Sequence, residues 1–480
     1  MSQLAALTAS EMTSGYRAGR FSPVEVLAAV QARADAIQPT LNAFCRFDRE
    51  GALATARLSE ARWRNGTSLG LLDGVPVSVK DMILTRGMAT LKGSRTVDPS
   101  GPWDEDAPAV ARLRAAGAVI FSKTTTTEFG GSPFSSSPLT GNTVGPWNTG
   151  YGCAGSSMGA AAQLAAGAGP LALANDAAGS IRMPASFGGC FGLKPTYGLV
   201  ANYPPSAAGS LGHVGPMSWS VADAAAMLVV IAGPDVRDGD ALPRQETALA
   251  FQPEMALRKL KIAYSPSLGI RDPEPEVARL VDAAVQRFAE LGAQVEEATP
   301  ELPDLFGAYD ILRLCNRAAG VGKLSADQRA QLDPVVARVV EMAEDYDVND
   351  YVWAQSVRTA LKASMLRFHE RYDLLLTPTM AVLPHPTGIS QSPKDLHWYQ
   401  MNSEIWSPYT FIFNMTQQPA ASIPCGLTGP DSRAAPGLPV GLQIAAAPFR
   451  DDLVLSAAAA FQAVSDFVRP TFDPQEAAAQ

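Results

Sequence analysis

The sequence is poor in the residues that usually signal metal or disulfide chemistry. Its four histidines (His213, His369, His385 and His397) show neither a His-x-x-x-His nor a His-Glu-x-x-His spacing, so no zinc site and no cofactor is expected. Its five cysteines (Cys45, Cys153, Cys190, Cys315 and Cys425) are far apart, odd in number and never form Cys-x-x-Cys. Free thiols in a reducing, cytoplasmic compartment are therefore expected instead of a disulfide frame. Charge is also scarce, at 18% of residues, with a net value of −9 and no long basic run. Such a surface argues against nucleic-acid and membrane partners. The N-terminal twenty residues carry acid and lack a continuous apolar stretch, unlike a secretory signal. One segment, Met158 to Ala174, is almost free of polar groups, but Gln163 and Pro170 break it and no basic flank adjoins it. It reads as a buried helix followed by a buried strand, not as a membrane span.

What the chain has instead is apolar residues, 47% of the total, enough for a large core. Ser22-Pro23-Val24-Glu25 combines an N-cap, a first-turn proline and a capping-box acid, which predicts a helix to about Ile37. A second helix is predicted over about 49–64. Val75 to Val79 then reads as a short buried strand ending at Lys80. Asp106 is expected to cap a helix to Ala116, followed by a strand from Ala118 to Phe121. Later come strands at 260–264, 294–297, 374–376, 420–424 and 440–446, with helices at 277–291, across 303–370 and at 452–464. Alternating strands and helices predict an α/β fold with largely buried strands. No repeat or linker divides it, so one compact domain is expected.

Small residues crowd 150–198, and hydroxyls fall where loops meet element ends, the usual ligand position in an open α/β sheet. Gly155-Ser156-Ser157-Met158-Gly159 matches G-x-S-x-G, but the stretch before it is turn-like and no histidine is marked as its base. No Ser-x-x-Lys occurs. Lysine can serve as a base when desolvated. From context alone, Lys80 is either such a base or a surface lysine whose stem lies along the strand end.

Several segments together resemble the amidase signature family: Gly74-Val75-Pro76-Val77-Ser78-Val79-Lys80-Asp81, Gly155-Ser156-Ser157, Asp176-Ala177-Ala178-Gly179-Ser180-Ile181-Arg182 and Gly192 to Gly198. Others in the same order are Ala116 to Ile120 with Lys123-Thr124, Gly215-Pro216-Met217, Ile231 to Asp235, Tyr372 to Thr379 and Gln418 to Pro424. The resemblance spans about residues 5 to 465. It implies a single large α/β/α sandwich with a central mixed, mostly parallel sheet. Residues 1–65 would be a helical segment packed on a core of 66–470, with a helical cap around 300–400. It also implies a Ser–cisSer–Lys triad, with Ser180 as nucleophile, Ser156 as the bridging serine and Lys80 as base. Backbone N–H groups of Ala177, Ala178, Gly179 and Ser180 would form the oxyanion hole, with Ser157, Asp176 and Arg182 in support.

Three positions depart from the family pattern. Tyr151-Gly152-Cys153-Ala154 replaces a glycine-rich loop, Met158 stands where glycine is usual, and Ala178 replaces the first glycine of Gly-Gly-Ser. The expected activity is an amidohydrolase for small amides, aryl acylamides, esters or carbamates, working as a monomer or homodimer. The alternative is the glutaminase-like component of a tRNA-dependent amidotransferase complex, although that component usually has glutamine where Met183 stands. Pocket walls are expected from Thr126 to Phe134, Tyr203-Pro204-Pro205 and 310–410, including Trp398, Tyr399 and Trp406.

Overall fold

A computed structural model describes residues 3–255, 257–388 and 407–478. Its strands are β1 (Phe44–Phe47), β2 (Pro76–Lys80), β3 (Val119–Thr124), a small ribbon of β4 (Ser136–Ser137) and β5 (Gly141–Asn142), β6 (Leu171–Asp176), β7 (Phe191–Lys194) and β8 (His213–Ser218). They continue with β9 (Lys261–Tyr264), β10 (Gln294–Glu297), β11 (Leu374–Pro378), β12 (Ala420–Leu427) and β13 (Pro439–Ala446). All but the ribbon form one 11-stranded sheet in the order β1-β3-β2-β6-β8-β7-β12-β13-β11-β9-β10.

The period-2 alternation of each strand sorts its side chains onto two faces. Leu374, Leu376, Ile262, Ala421 and Ile444 join one apolar core with Val277 and Phe288 of helix Pro275–Glu290 and Leu453 and Phe461 of helix Asp451–Ala463. Their neighbours Leu375, Ala263, Ala420 and Ala445 join a second core with Leu312 of helix Phe306–Val321 and Leu361 of helix Val348–His369. This is an α/β/α sandwich, as expected.

The balance of strand directions differs from expectation. β3-β2-β6 and β11-β9-β10 are parallel runs, but the pairs from β6 through β8, β7, β12 and β13 to β11 are antiparallel, as is β1–β3. The sheet is mixed without being mostly parallel. The long connection from Pro195 to Gly212 returns β8 between β6 and β7, antiparallel to both.

Local signals fared unevenly. The Ser22 hydroxyl accepts from Glu25 N at 3.2 Å and the Glu25 carboxylate accepts from Ser22 N at 2.8 Å, so the capping box is present. The helix it starts, Pro23–Leu41, carries on through Pro39. Asp106 is not a cap: helix Pro108–Ala115 opens at Ala107 without a side-chain cap, and Asp106 accepts from Arg86 N at 2.7 Å and Arg114 Nε at 3.1 Å. Segment 1–65 is not purely helical, because Phe44–Phe47 pairs with β3 at the sheet edge. No helix among the described residues is long and apolar enough to cross a membrane. Helix Met158–Ala165 and β6 occupy the apolar run, both almost wholly buried.

Candidate active site

β2 and β6 lie side by side and parallel, so their C-terminal ends open onto the same edge of the sheet. Lys80 ends β2 and Asp176 ends β6. Ser156 and Ser157 precede helix Met158–Ala165, and Ser180 lies in the turn between β6 and helix Arg182–Gly188. The topology thus gathers three separate segments over one strand edge: the end of β2, the Ser156-Ser157 loop and the turn from Asp176 to Ser180.

Lys80 Nζ lies 2.7 Å from Ser156 Oγ and 3.3 Å from the carbonyl of Asn175. Lys80 is fully buried, Ser156 is 1% exposed and Ser180 is 8% exposed, so Ser180 is the most accessible residue of the three. Burial pushes the Lys80 amine well below its ordinary pKa; Asp176 opposes the shift and Arg317 adds to it. A desolvated, neutral amine against a serine hydroxyl is the electronic requirement of a general base. The Gly155–Ser156 peptide is cis. Ser157 Oγ donates to the carbonyl of Ser180 at 2.5 Å, tying the two serine-bearing loops together.

The turn that carries Ser180 is held from below. The Asp176 carboxylate accepts from Gly179 N at 2.7 Å and Ile181 N at 3.1 Å, and from Arg182 Nε and an Arg182 Nη at 3.1 and 3.0 Å. Burial alone would raise the Asp176 pKa, but Arg182, Asn414 and the Ile181 N–H outweigh it and hold the carboxyl well below its ordinary range. Gly179 N–H is therefore already engaged. The N–H groups of Ala177, Ala178 and Ser180 make no hydrogen bond to another group among the described residues.

The departure at Ala178 costs no backbone strain, because the positive φ of this turn falls on Gly179, at 121°. The strained alanine is Ala154, at φ 60°, in the loop where glycine is usual. Gly179 also has no room: an added Cβ would sit 2.5 Å from Thr410 Oγ1, which donates to the Ala178 carbonyl at 2.6 Å. Gly179→Ala should displace the turn and lower kcat at least about 100-fold, since a misplacement near 1 Å costs that much. Steady-state rates on an ester, with a melting curve to show that the variant folds, check this.

Of the expected pocket walls, Thr126 to Phe134 wraps the Gly155–Ser156 bond. Gly155 N donates to Pro133 O at 2.5 Å, and a Cβ on Gly130 would stand 3.3 Å from Ser156 Oγ. Arg317 pins that loop by donating to the carbonyls of Phe129 and Gly130 at 2.9 and 3.2 Å. Tyr203 instead lies under the Arg237 guanidinium at 4.8 Å, and Pro204 and Pro205 are exposed. Trp398, Tyr399 and Trp406 lie outside the described residues. Sequence reasoning missed Asn414 and Gln443. Asn414 Nδ2 donates to Asp176 Oδ1 at 2.9 Å, and Gln443 Oε1 accepts from Arg182 at 2.8 Å. A lone amide inside an apolar run, Phe-Ile-Phe-Asn-Met or Gly-Leu-Gln-Ile-Ala, is the signal that could have found them. Met183, Phe187, Met380, Val382 and Ala154 form a separate small apolar cluster, and Met183 packs against Gly179.

A protein-family model described as Amidase matches residues 25–455. The chain belongs to the amidase family. It is 35% identical over 489 aligned residues to an acylamidase of Rhodococcus erythropolis, covering 98% of this chain and 97% of that one. It is 36% identical to a component of the glutamyl-tRNA(Gln) amidotransferase of Symbiobacterium thermophilum, over 96% and 97% of the two chains. Among solved structures, a bacterial aryl acylamidase of the amidase signature family superposes with a TM-score of 0.87 at 26% identity, over 97% of each chain. Like other members of its amidase family, this chain is an amidohydrolase, a hydrolase of amide C–N bonds.

Proposed function

We propose that this amidase is a free-standing serine hydrolase of small amides with an apolar acyl or aryl part, acting also on related esters and carbamates. Ser180 is the nucleophile. As its Oγ attacks the carbonyl carbon, its proton passes to Ser156 and the proton of Ser156 passes to neutral Lys80. The tetrahedral oxyanion is received by the free N–H groups of Ala177 and Ala178, where one lost donor costs ~3–4 kcal/mol of barrier. The relay then runs backwards, protonating the leaving nitrogen as the C–N bond breaks. Water, deprotonated by the same relay, attacks the acyl-Ser180 ester and releases the carboxylic acid. Ser157, Asp176 and Arg182 are positioning residues that hold the turn.

The apolar cluster of Met183, Phe187, Met380, Val382 and Ala154 beside the nucleophile turn carries the substrate class. A glutamine side chain would leave its amide unpaired against such a wall. The acylamidase relative and the aryl acylamidase neighbour support the same class. The reading as an amidotransferase component rests on the equally similar relative from that complex, and one assay separates the two. The isolated chain should hydrolyse hexananilide and benzanilide and leave glutamine essentially untouched; glutamine turnover exceeding anilide turnover would favour the amidotransferase reading. Met183→Gln should lower kcat/KM for hexananilide by about 10–200-fold, the range for altering a hydrophobic acyl contact. An unchanged value would remove Met183 from the acyl wall.

A further inference from the structure

A cavity of about 280 Å³, with no residue of the nucleophile turn in its lining, lies between the C-terminal half of helix Val348–His369 and the loops at 196–197, 240–242, 416–418 and 448–449. Leu242, Met365, Leu366 and Phe449 supply apolar wall, and Leu366 and Phe449 remain 52% and 38% exposed at its mouth. Single exposed apolar side chains are ordinary, but here two of them share one concavity with a lysine. Lys362 is half-buried in the same wall, and its only hydrogen bond among the described residues is to Gln417 Oε1. An ammonium carries three donors, so two are left without an acceptor among the described residues.

Among the described residues no carboxylate forms an ion pair with this amine. Burial first, and then the nearby Arg358 guanidinium, pulls Lys362 down to about 8. Arg358 itself is spent on the carbonyl of Met415 at 2.8 Å and on Ser210 Oγ and O at 2.6 and 3.1 Å. Asp240 stands exposed at the rim and already accepts from the Tyr197 hydroxyl at 2.6 Å. Two non-glycine residues of the wall, Gln417 and Phe449, hold left-handed φ values of 68° and 66°. Strain of that kind persists only where the surroundings enforce it and gathers at binding sites.

We propose that this cavity is a binding site for a small monocarboxylate with an apolar body, its carboxylate on Lys362 and its body against Leu242, Met365, Leu366 and Phe449. The positive charge, which has no carboxylate partner among the described residues, selects the anion, and the apolar wall selects its body. A dianion would find no second cation among the lining residues and would bear the desolvation of its second charge, so the site favours monoanions.

The probe is 4-bromobenzoate, with neutral 4-bromobenzamide as control. Crystals of the full chain soaked with the acid should show a bromine anomalous peak inside this cavity, and the amide should give none there. Calorimetric titration should give an affinity about tenfold weaker in Lys362→Met, the usual cost of one charge-assisted hydrogen bond. Leu366→Glu, which adds a negative charge to an exposed wall position, should weaken binding similarly, and both variants should melt with the wild type. Absence of bromine from the cavity, equal occupancy by the amide, or unchanged affinity in Lys362→Met would overturn the proposal. None of these readouts depends on amide hydrolysis, so failure here is separable from failure of the proposed function.

Discussion

Lys80→Ala is expected to lower kcat/KM for an anilide by about 10³–10⁴-fold, near the upper range for a general acid–base group. For a p-nitrophenyl ester of the same acid the loss should be about tenfold to 100-fold smaller. The difference follows from the direction of proton flow. Both substrates need the proton taken from Ser180, but only the amide needs one delivered, because nitrophenolate leaves unaided. In the proposed mechanism the 2.7 Å contact between Lys80 Nζ and Ser156 Oγ carries both transfers. Because burial depresses the Lys80 pKa, the wild type should gain its neutral base at a pH well below the ordinary lysine range. Its kcat/KM should climb with pH as Lys80 loses its proton and then stay level. Parallel pH–rate profiles for the two substrates, in wild type and Lys80→Ala, check the claim. Equal losses on ester and amide would remove Lys80 from the relay.

The second large effect concerns stability. Arg182 is fully buried and donates to Asp176, Asn414 Oδ1, Thr410 O and Gln443 Oε1. Arg182→Met leaves the Asp176 carboxylate buried without its charge partner, which costs ~3–5 kcal/mol. The cost depends on pH with a definite sign. In the wild type Asp176 has a folded pKa below its unfolded value, so its contribution is present above about pH 4 and is lost as pH falls through the folded value. In the variant the unpaired carboxyl is raised instead, and protonation relieves it. Urea midpoints should therefore differ most at pH 7 and converge towards pH 4. A gap that widens on acidification would contradict the pairing. The same variant should lose activity beyond its loss of stability, because Asp176 also fixes Gly179 N and Ile181 N.

Much of the frame could be read from residues alone, for reasons that are local. β2 shows as five apolar-framed residues ending in lysine, and its burial follows from that run. The helix at Pro275–Glu290 shows as seven apolar positions at helical spacing, six of them buried. The strands that went unseen are those whose residues carry no local preference. His213-Val-Gly-Pro-Met-Ser contains glycine and proline, and it becomes β8 only because β6 and β7 flank it. Phe44–Phe47 is too short for a periodic signal and becomes β1 by pairing with β3. The parallel share of the sheet was overestimated because alternating strands and helices read as repeated crossovers, whereas antiparallel pairs fill the centre.

The site was legible in part for a different reason. Ser156 fits the widely used serine-elbow pattern, and spacing alone would have selected it over Ser180. The resemblance reversed that order. Ser156 follows a loop and not a strand, and it lies against a lysine. His213 is buried beside Asp176 and Asn414, with Nδ1 2.8 Å from the Leu211 carbonyl, and burial drives its pKa well down. The expectation of Gly179 N as an oxyanion donor needs revision for a reason no sequence shows, namely that the Asp176 side chain folds back to accept it. Likewise Asn414 and Gln443, about 230 to 260 residues downstream in sequence, reach the nucleophile turn only through tertiary packing.

The most direct measurement is the intact mass of the protein after brief incubation with p-nitrophenyl butyrate and an acid quench, followed by peptide mapping. Wild type is predicted to gain one butyryl group on the peptide containing Ser180, and Ser180→Ala to gain none. Acylation that persists in Ser180→Ala, or that maps to Ser156, would contradict the assignment of the nucleophile and the relay built on it.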